Sequence, residues 1–299
     1  MALPITALLV IPAWIGAGVL RGDVLPQFAL TVVASYVMVE LNNVNALIRI
    51  YSRMVSCSFL VLCAVTSALY ASIESCTVEL CVAAAYLILF HAYQDKRSPG
   101  ITFFAFLSIG VASMMFVQIL YFVPFLWIIM LTNLMMMSSR NFVASILGLI
   151  TPYWFAGLYY LYDGDFTTPL RHFAELGQFG AFSQYLSIDS HQAATTLFIV
   201  AVAVTGIVHF LRTSYNDKIR TRMLFESFIT MDIVAMLFLF LQPQHYKDLT
   251  AIIIVNTSPL IGHYIALTRT FVTDLSFKLL IIIAIALTAY NIWIPHSIF

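Results

Sequence analysis

Eleven apolar runs of 17 to 22 residues follow one another along this chain with short connections, and nothing else constrains its fold so tightly. They cover 4–21, 25–45, 55–71, 77–94, 102–118, 120–136, 141–162, 192–211, 223–242, 248–268 and 276–294. A helix rises about 1.5 Å per residue, so about 20 predominantly apolar residues cross a hydrocarbon layer about 30 Å thick. Composition leads to the same class. With 62% hydrophobic residues, 9% charged residues and a mean hydropathy of +0.95, there is too little polar side chain to cover a soluble globule. The expected fold is all-α, a polytopic transmembrane bundle of about eleven helices forming one integral membrane domain over 1–299. The first run is the weakest, because Pro4 and Pro12 interrupt it. Met1-Ala2-Leu3-Pro4 lacks the basic leader of a secretory signal, so the run reads as a spanning or re-entrant helix.

The placement of positive charge orients such a bundle, since short cytoplasmic loops carry an excess of lysine and arginine. With the N-terminus inside, the inner connections hold Arg49, Arg53, Lys96, Arg97, Arg140, Arg212, Lys218, Arg220, Arg222, Arg269 and Lys278. The outer ones hold only Arg21, Arg171 and Lys247, and the C-terminus falls outside. Acidic residues lean the other way, with Asp23, Glu74, Glu79, Asp163, Asp165, Glu175, Asp189 and Asp248 outward. The stretch Asn216 to Arg222 is the most basic inner loop and reads as an anchor.

Soluble chemistry has no motif here. The chain has no glycine-rich phosphate loop, no Gly-x-Ser-x-Gly elbow, no His-Glu-x-x-His and no basic stripe with interleaved aromatics, which removes the footing for nucleotide and nucleic-acid readings. Cys57, Cys63, Cys76 and Cys81 form no Cys-x-x-Cys pair and have no histidine at zinc-ligand spacing, so they read as small packing residues. No cofactor is indicated, and no internal repeat is detectable.

What remains are polar residues within apolar runs, which are costly in lipid and mark function by default. Asp232 lies ten residues past Arg222, about 15 Å into the bilayer. Asn256 lies eight residues past Asp248 on the next run, about 12 Å in from the opposite face, so the two reach similar depth. Ser258-Pro259 follows at once, and the proline frees a backbone carbonyl that can join them. A simple bond gluing two helices explains the same residues. In the second run Asn42 and Asn45 share one face while Glu40 and Asn43 share another, as at a protein-lined or partly watery inner mouth. His91, His209 and His263 sit toward inner helix ends and read as interfacial donors.

The segment 163–191 is the one sizeable stretch neither apolar nor short, an outer loop with its own internal logic. Thr168 can cap and Pro169 can start a helix, after which Leu170, Phe173, Leu176, Phe179, Phe182 and Leu186 recur every three or four residues. Arg171 and Glu175 are an i,i+4 pair on the opposite side. This predicts an amphipathic helix on the outer leaflet. Asp163 and Asp165, beside Arg171 and His172, have the makings of general acid/base work or of a phosphate-binding surface, and equally of a solvated Asp-Gly turn.

Several short motifs carry a resemblance. Leu41-Asn42-Asn43-Val44-Asn45-Ala46-Leu47-Ile48-Arg49, Leu89-Phe90-His91-Ala92-Tyr93, Phe106 to Ser113, Val123-Pro124-Phe125-Leu126-Trp127-Ile128, and Arg140 with Leu147 to Tyr153 and Tyr159-Tyr160 stand together. They resemble an uncharacterised family of multi-pass inner-membrane proteins from Bacteroidota over the first half to two-thirds of the chain. The resemblance implies a bacterial inner membrane facing a periplasm. Its layout is similar to that of polytopic enzymes that process lipid-linked saccharides. The leading expectation is therefore envelope glycan or lipid-linked saccharide processing, with Asp163, Asp165, Arg171 and His172 at the surface. The bilayer, and then a lipid-linked saccharide, would be the partners, and no nucleic acid. A secondary transporter using Asp232, Asn256 and Glu40, and a non-catalytic assembly subunit, stay open beside it.

Overall fold

A computed structural model describes residues 2–22, 24–66, 72–164, 167–180, 189–268 and 270–293, with twelve α-helices and no strand among them. In chain order these are α1 (Ala2–Gly16), α2 (Leu25–Asn45), α3 (Met54–Val65), α4 (Ile73–Leu89), α5 (Pro99–Met115), α6 (Val123–Thr132), α7 (Ser139–Asp163), α8 (Thr167–Ala174), α9 (Ser190–Thr213), α10 (Ile219–Leu241), α11 (Tyr246–Leu267) and α12 (Phe271–Trp293). Seven are long and apolar enough to cross a membrane: α2, α4, α7, α9, α10, α11 and α12. The runs expected at 4–21, 55–71, 102–118 and 120–136 form shorter apolar helices instead.

Local chemistry sets these shorter lengths. Phe116 is extended, with φ −137° and ψ 92°, and breaks the run that 102–118 suggested; a 3-10 stretch, Val117–Phe122, follows before α6. At the end of α3, Thr66 leaves the helical region while its hydroxyl donates back to the Leu62 carbonyl at 2.9 Å. At the start of α4 the Ser72 side chain accepts from the Ser75 amide at 3.2 Å, so the helix begins four residues before the apolar run. That early start carries Glu79 a full turn further inside than the sequence placed it.

The bundle is organised around α11. Helices α3, α4, α9 and α10 all pack against it, and its central window is 89% buried. Two glycines bring neighbours onto its backbone. A Cβ at Gly206 of α9 would stand 2.9 Å from Leu260 Cβ, and one at Gly262 would stand 3.0 Å from the Val55 backbone of α3. Small residues at such crossings let helix backbones approach closely where lipid provides no hydrophobic drive. Another tight crossing joins α5 to α7, where a Cβ at Gly148 would run into the Phe103 carbonyl oxygen. Beyond that seam α7 is peripheral, with Trp154, Phe155, Tyr159 and Tyr162 exposed.

Hydrogen bonds gather the connections into two ends. At the basic end, Arg49 donates to the Asn216 carbonyl at 3.4 Å, and Ser138 to the Lys96 carbonyl at 2.9 Å. Arg220 donates there to Asn45 Oδ1 at 3.0 Å and to the Phe90 carbonyl at 3.3 Å. At the far end, Ser75 donates to Asp248 at 2.8 Å, and Asn291 to the Val65 carbonyl at 2.7 Å. The two faces of α2 separate as its spacing predicts: Asn42 and Asn45 are buried, Asn43 is exposed and Glu40 is half-buried.

The outer segment is shorter than its apolar repeat suggested. Helix α8 gives way to a 3-10 turn, Glu175–Gly177, and the glycine interrupts the helical pattern; Phe182 and Leu186 lie outside the described residues. Leu170, Phe173 and Phe179 are exposed, while the backbone is tied to the far end by Tyr121, whose hydroxyl donates to the Leu176 carbonyl at 2.5 Å.

Candidate functional site

The buried face of α11 carries polar side chains at intervals from one end of the bundle to the other. At the far end Asp248, half-buried in the first turn, accepts from Ser75 of α4. Four residues along the same face of α4 comes Glu79, wholly buried, its Oε1 accepting from the Cys63 thiol of α3 at 3.1 Å. Near the middle the Tyr86 hydroxyl donates to Asn256 Oδ1 at 2.7 Å, and the Asn256 amide donates to the Ile252 carbonyl at 2.9 Å. One residue on, the Thr257 hydroxyl is shared between the two carboxylate oxygens of Asp232, at 3.0 and 3.3 Å. At the basic end His263 Nε2 meets Asp217 at 2.9 Å, with both side chains almost fully buried.

Asp232 and Asn256 thus reach the same level on facing helices, as their depths predict. They do not bond each other; Thr257 and Tyr86 take those places. Asp232, Asn256, Thr257 and Tyr86 are each no more than 2% exposed. Of the two fully buried carboxylates, Glu79 and Asp232, neither has a basic partner: His263 with Asp217 is the single ion pair among the described residues. A carboxylate at a helix centre costs about 2.5–3.5 kcal/mol on insertion scales, and one hydroxyl returns little of that. Ser258 is satisfied within its own helix by the Ile254 carbonyl.

Two further placements correct the sequence reading. Glu79 belongs to the buried file and not to an acidic outer fringe. His263 is a buried partner of Asp217, set among the rings of Phe210 and Phe225, and not an interfacial donor. His91 is exposed, with Nδ1 2.6 Å from the Leu87 carbonyl, and His209 is half-buried beside the Tyr264 ring. Tyr86 and Thr257 were missed because a lone tyrosine or threonine in an apolar run is unremarkable by composition. Glu40 has no bond to this file; it lies on α2, half-buried, on the face opposite Asn42 and Asn45.

The outer residues that are described do not converge. His172 Nε2 lies 3.0 Å from the Ser113 carbonyl oxygen, and Ser113 Oγ accepts from Tyr153 at 2.8 Å, which pins α8 to the α5–α7 seam. Arg171, Glu175 and Asp163 are exposed and form no ion pair among the described residues, and Asp165 lies outside them. None of the four cysteines is in a disulfide, and no cluster that would hold a metal ion occurs among the described residues. An apolar recess of about 260 Å³ between α1, α3, α9, α11 and α12 stands apart from the polar file.

No family model, curated protein or solved structure matches the chain at a significant level.

Proposed function

We propose that the protein is a multi-pass inner-membrane carrier that couples movement of a small solute to protonation of Asp232, with its N-terminus cytoplasmic and its C-terminus periplasmic. The carrying observation is Asp232 itself, a carboxylate midway along α10, sealed from solvent and held by one threonine hydroxyl. A structural bond between two helices needs no charge-bearing group; an intramembrane acid without a cation is the equipment of a proton relay. Rungs above and below it, Asp248 with Ser75 and Asp217 with His263, support a route from one face to the other. Pro259 lies inside α11 beside the glycine contacts at Gly206 and Gly262, smooth surfaces on which a helix can tilt without unlocking side chains. The glycan-processing reading draws less support, because Arg171 and Asp163 face solvent while His172 turns into the protein.

The test is Asp232→Asn in protein reconstituted on a supported membrane and challenged with sugars, amino acids and organic acids under a pH gradient. Wild type gives a solute-triggered proton current; the variant gives none while accumulating and melting normally, because the amide keeps volume and hydrogen bonding. A wild-type current in the variant, or no triggered current in wild type, overturns the reading. Orientation is checked separately by a reporter active only in the periplasm, on after Gly177 and off after Asn216.

A further inference from the structure

The most unusual group outside the Asp232 level is Glu79. It sits in the second turn of α4, a helix packed on α2, α5 and α11, and is fully buried, with α3 reaching it through Cys63. Its Oε1 takes the Cys63 thiol, a weak donor, and its Oε2 has no hydrogen-bond partner among the described residues. A buried carboxylate oxygen left bare is among the costliest arrangements a helix bundle can hold. An apolar residue of similar size would remove that cost.

The surroundings define what Glu79 can exchange with. Facing it are Cys63 from α3, Cys76 on its own helix and, toward the far end, Glu74 and Asp248, the latter beside Lys247. Helix α5 carries no titratable side chain, and α2 presents in this half only Tyr36, whose ring is exposed. No lysine, arginine or histidine reaches Glu79 within ion-pair distance among the described residues, so the charge it can acquire as counterpart is a proton. Ser75 lies one turn away on the same face of α4, about 6 Å along the axis, and is already bonded to Asp248 at the bundle surface. Tyr86 lies about 10 Å further in, at the level of Asp232.

We propose that Glu79 is a second proton-binding site, loaded from the far end through Asp248 and Ser75 and poised above Asp232. Oε2 forms the O–H bond and Oε1 remains the acceptor of the Cys63 thiol; on release the proton leaves Oε2 and the S–H bond strengthens its donation to a full carboxylate. The role as a relay rests on the carrier reading. The binding of the proton does not.

The experiment is a pH titration of the protein in lipid films by infrared difference spectroscopy, with no solute present. In wild type a carboxylic C=O band disappears as Glu79 ionises, and the S–H band of Cys63 shifts with the same midpoint. Glu79→Gln abolishes that carboxyl band and makes the S–H band indifferent to pH. Cys63→Ala removes the S–H band and displaces the carboxyl band without deleting it, so the assignment survives should either variant accumulate poorly. Asp232→Asn leaves both signals in place, which separates this site from the carrier reading. No pH-dependent carboxyl band in wild type, or one that persists unchanged in Glu79→Gln, overturns the proposal.

Discussion

Helices α11 and α12 are sequence neighbours of almost equal length, and the bundle treats them in opposite ways. The central window of α11 is 89% buried and that of α12 is 6% buried, yet α12 is the more apolar of the two. In a water-soluble protein the order would be reversed. Here the outward helix meets hydrocarbon and carries Leu275, Leu279, Ile282 and Ile285 exposed, while the inward helix carries Asn256, Thr257, Ser258 and His263 with no exposure above 1%. Hydropathy along this chain reports contact with lipid, and polarity reports the interior.

Substitutions can break that contrast. The largest effect is expected from Gly262→Leu, which drives a side chain into the Val55 backbone 3.0 Å away. Overpacking of this kind costs about 3 kcal/mol, read as a lowered melting temperature in detergent. Next, Asn256→Leu leaves the Tyr86 hydroxyl without its acceptor and should cost about 1 kcal/mol by the same measurement. Smallest is Ala286→Leu on the exposed side of α12, expected within about 0.5 kcal/mol of wild type. Should Ala286→Leu destabilise as much as Gly262→Leu, α12 would be packed against protein and not lipid, and crosslinking at Ile282 would find the partner.

How much of this is legible in the sequence depends on the kind of signal. Apolar runs and the spacing of Asn42 and Asn45 survive into the fold because both depend on periodicity alone. Asp232 stands out because an acid in an apolar run is costly wherever the helix faces. Glu79 hides because its position hinges on where α4 begins, and a single serine cap moves that start by four residues. The partner of His263 hides because Asp217 lies 46 residues away in a loop that reads as a basic anchor. Outer-segment chemistry is the least legible: an i,i+4 pairing of Arg171 with Glu175 requires a helix that continues, and this one tightens into a 3-10 turn at Glu175.

The central position of α11 also has a consequence in time. It follows α3, α4, α9 and α10 in the chain, so all four are synthesised before the helix that they pack against exists. Until then Tyr86 and Asp232 lack the partners that Asn256 and Thr257 later provide. Closure around residues 246–267 is therefore the late step that supplies both partners at once.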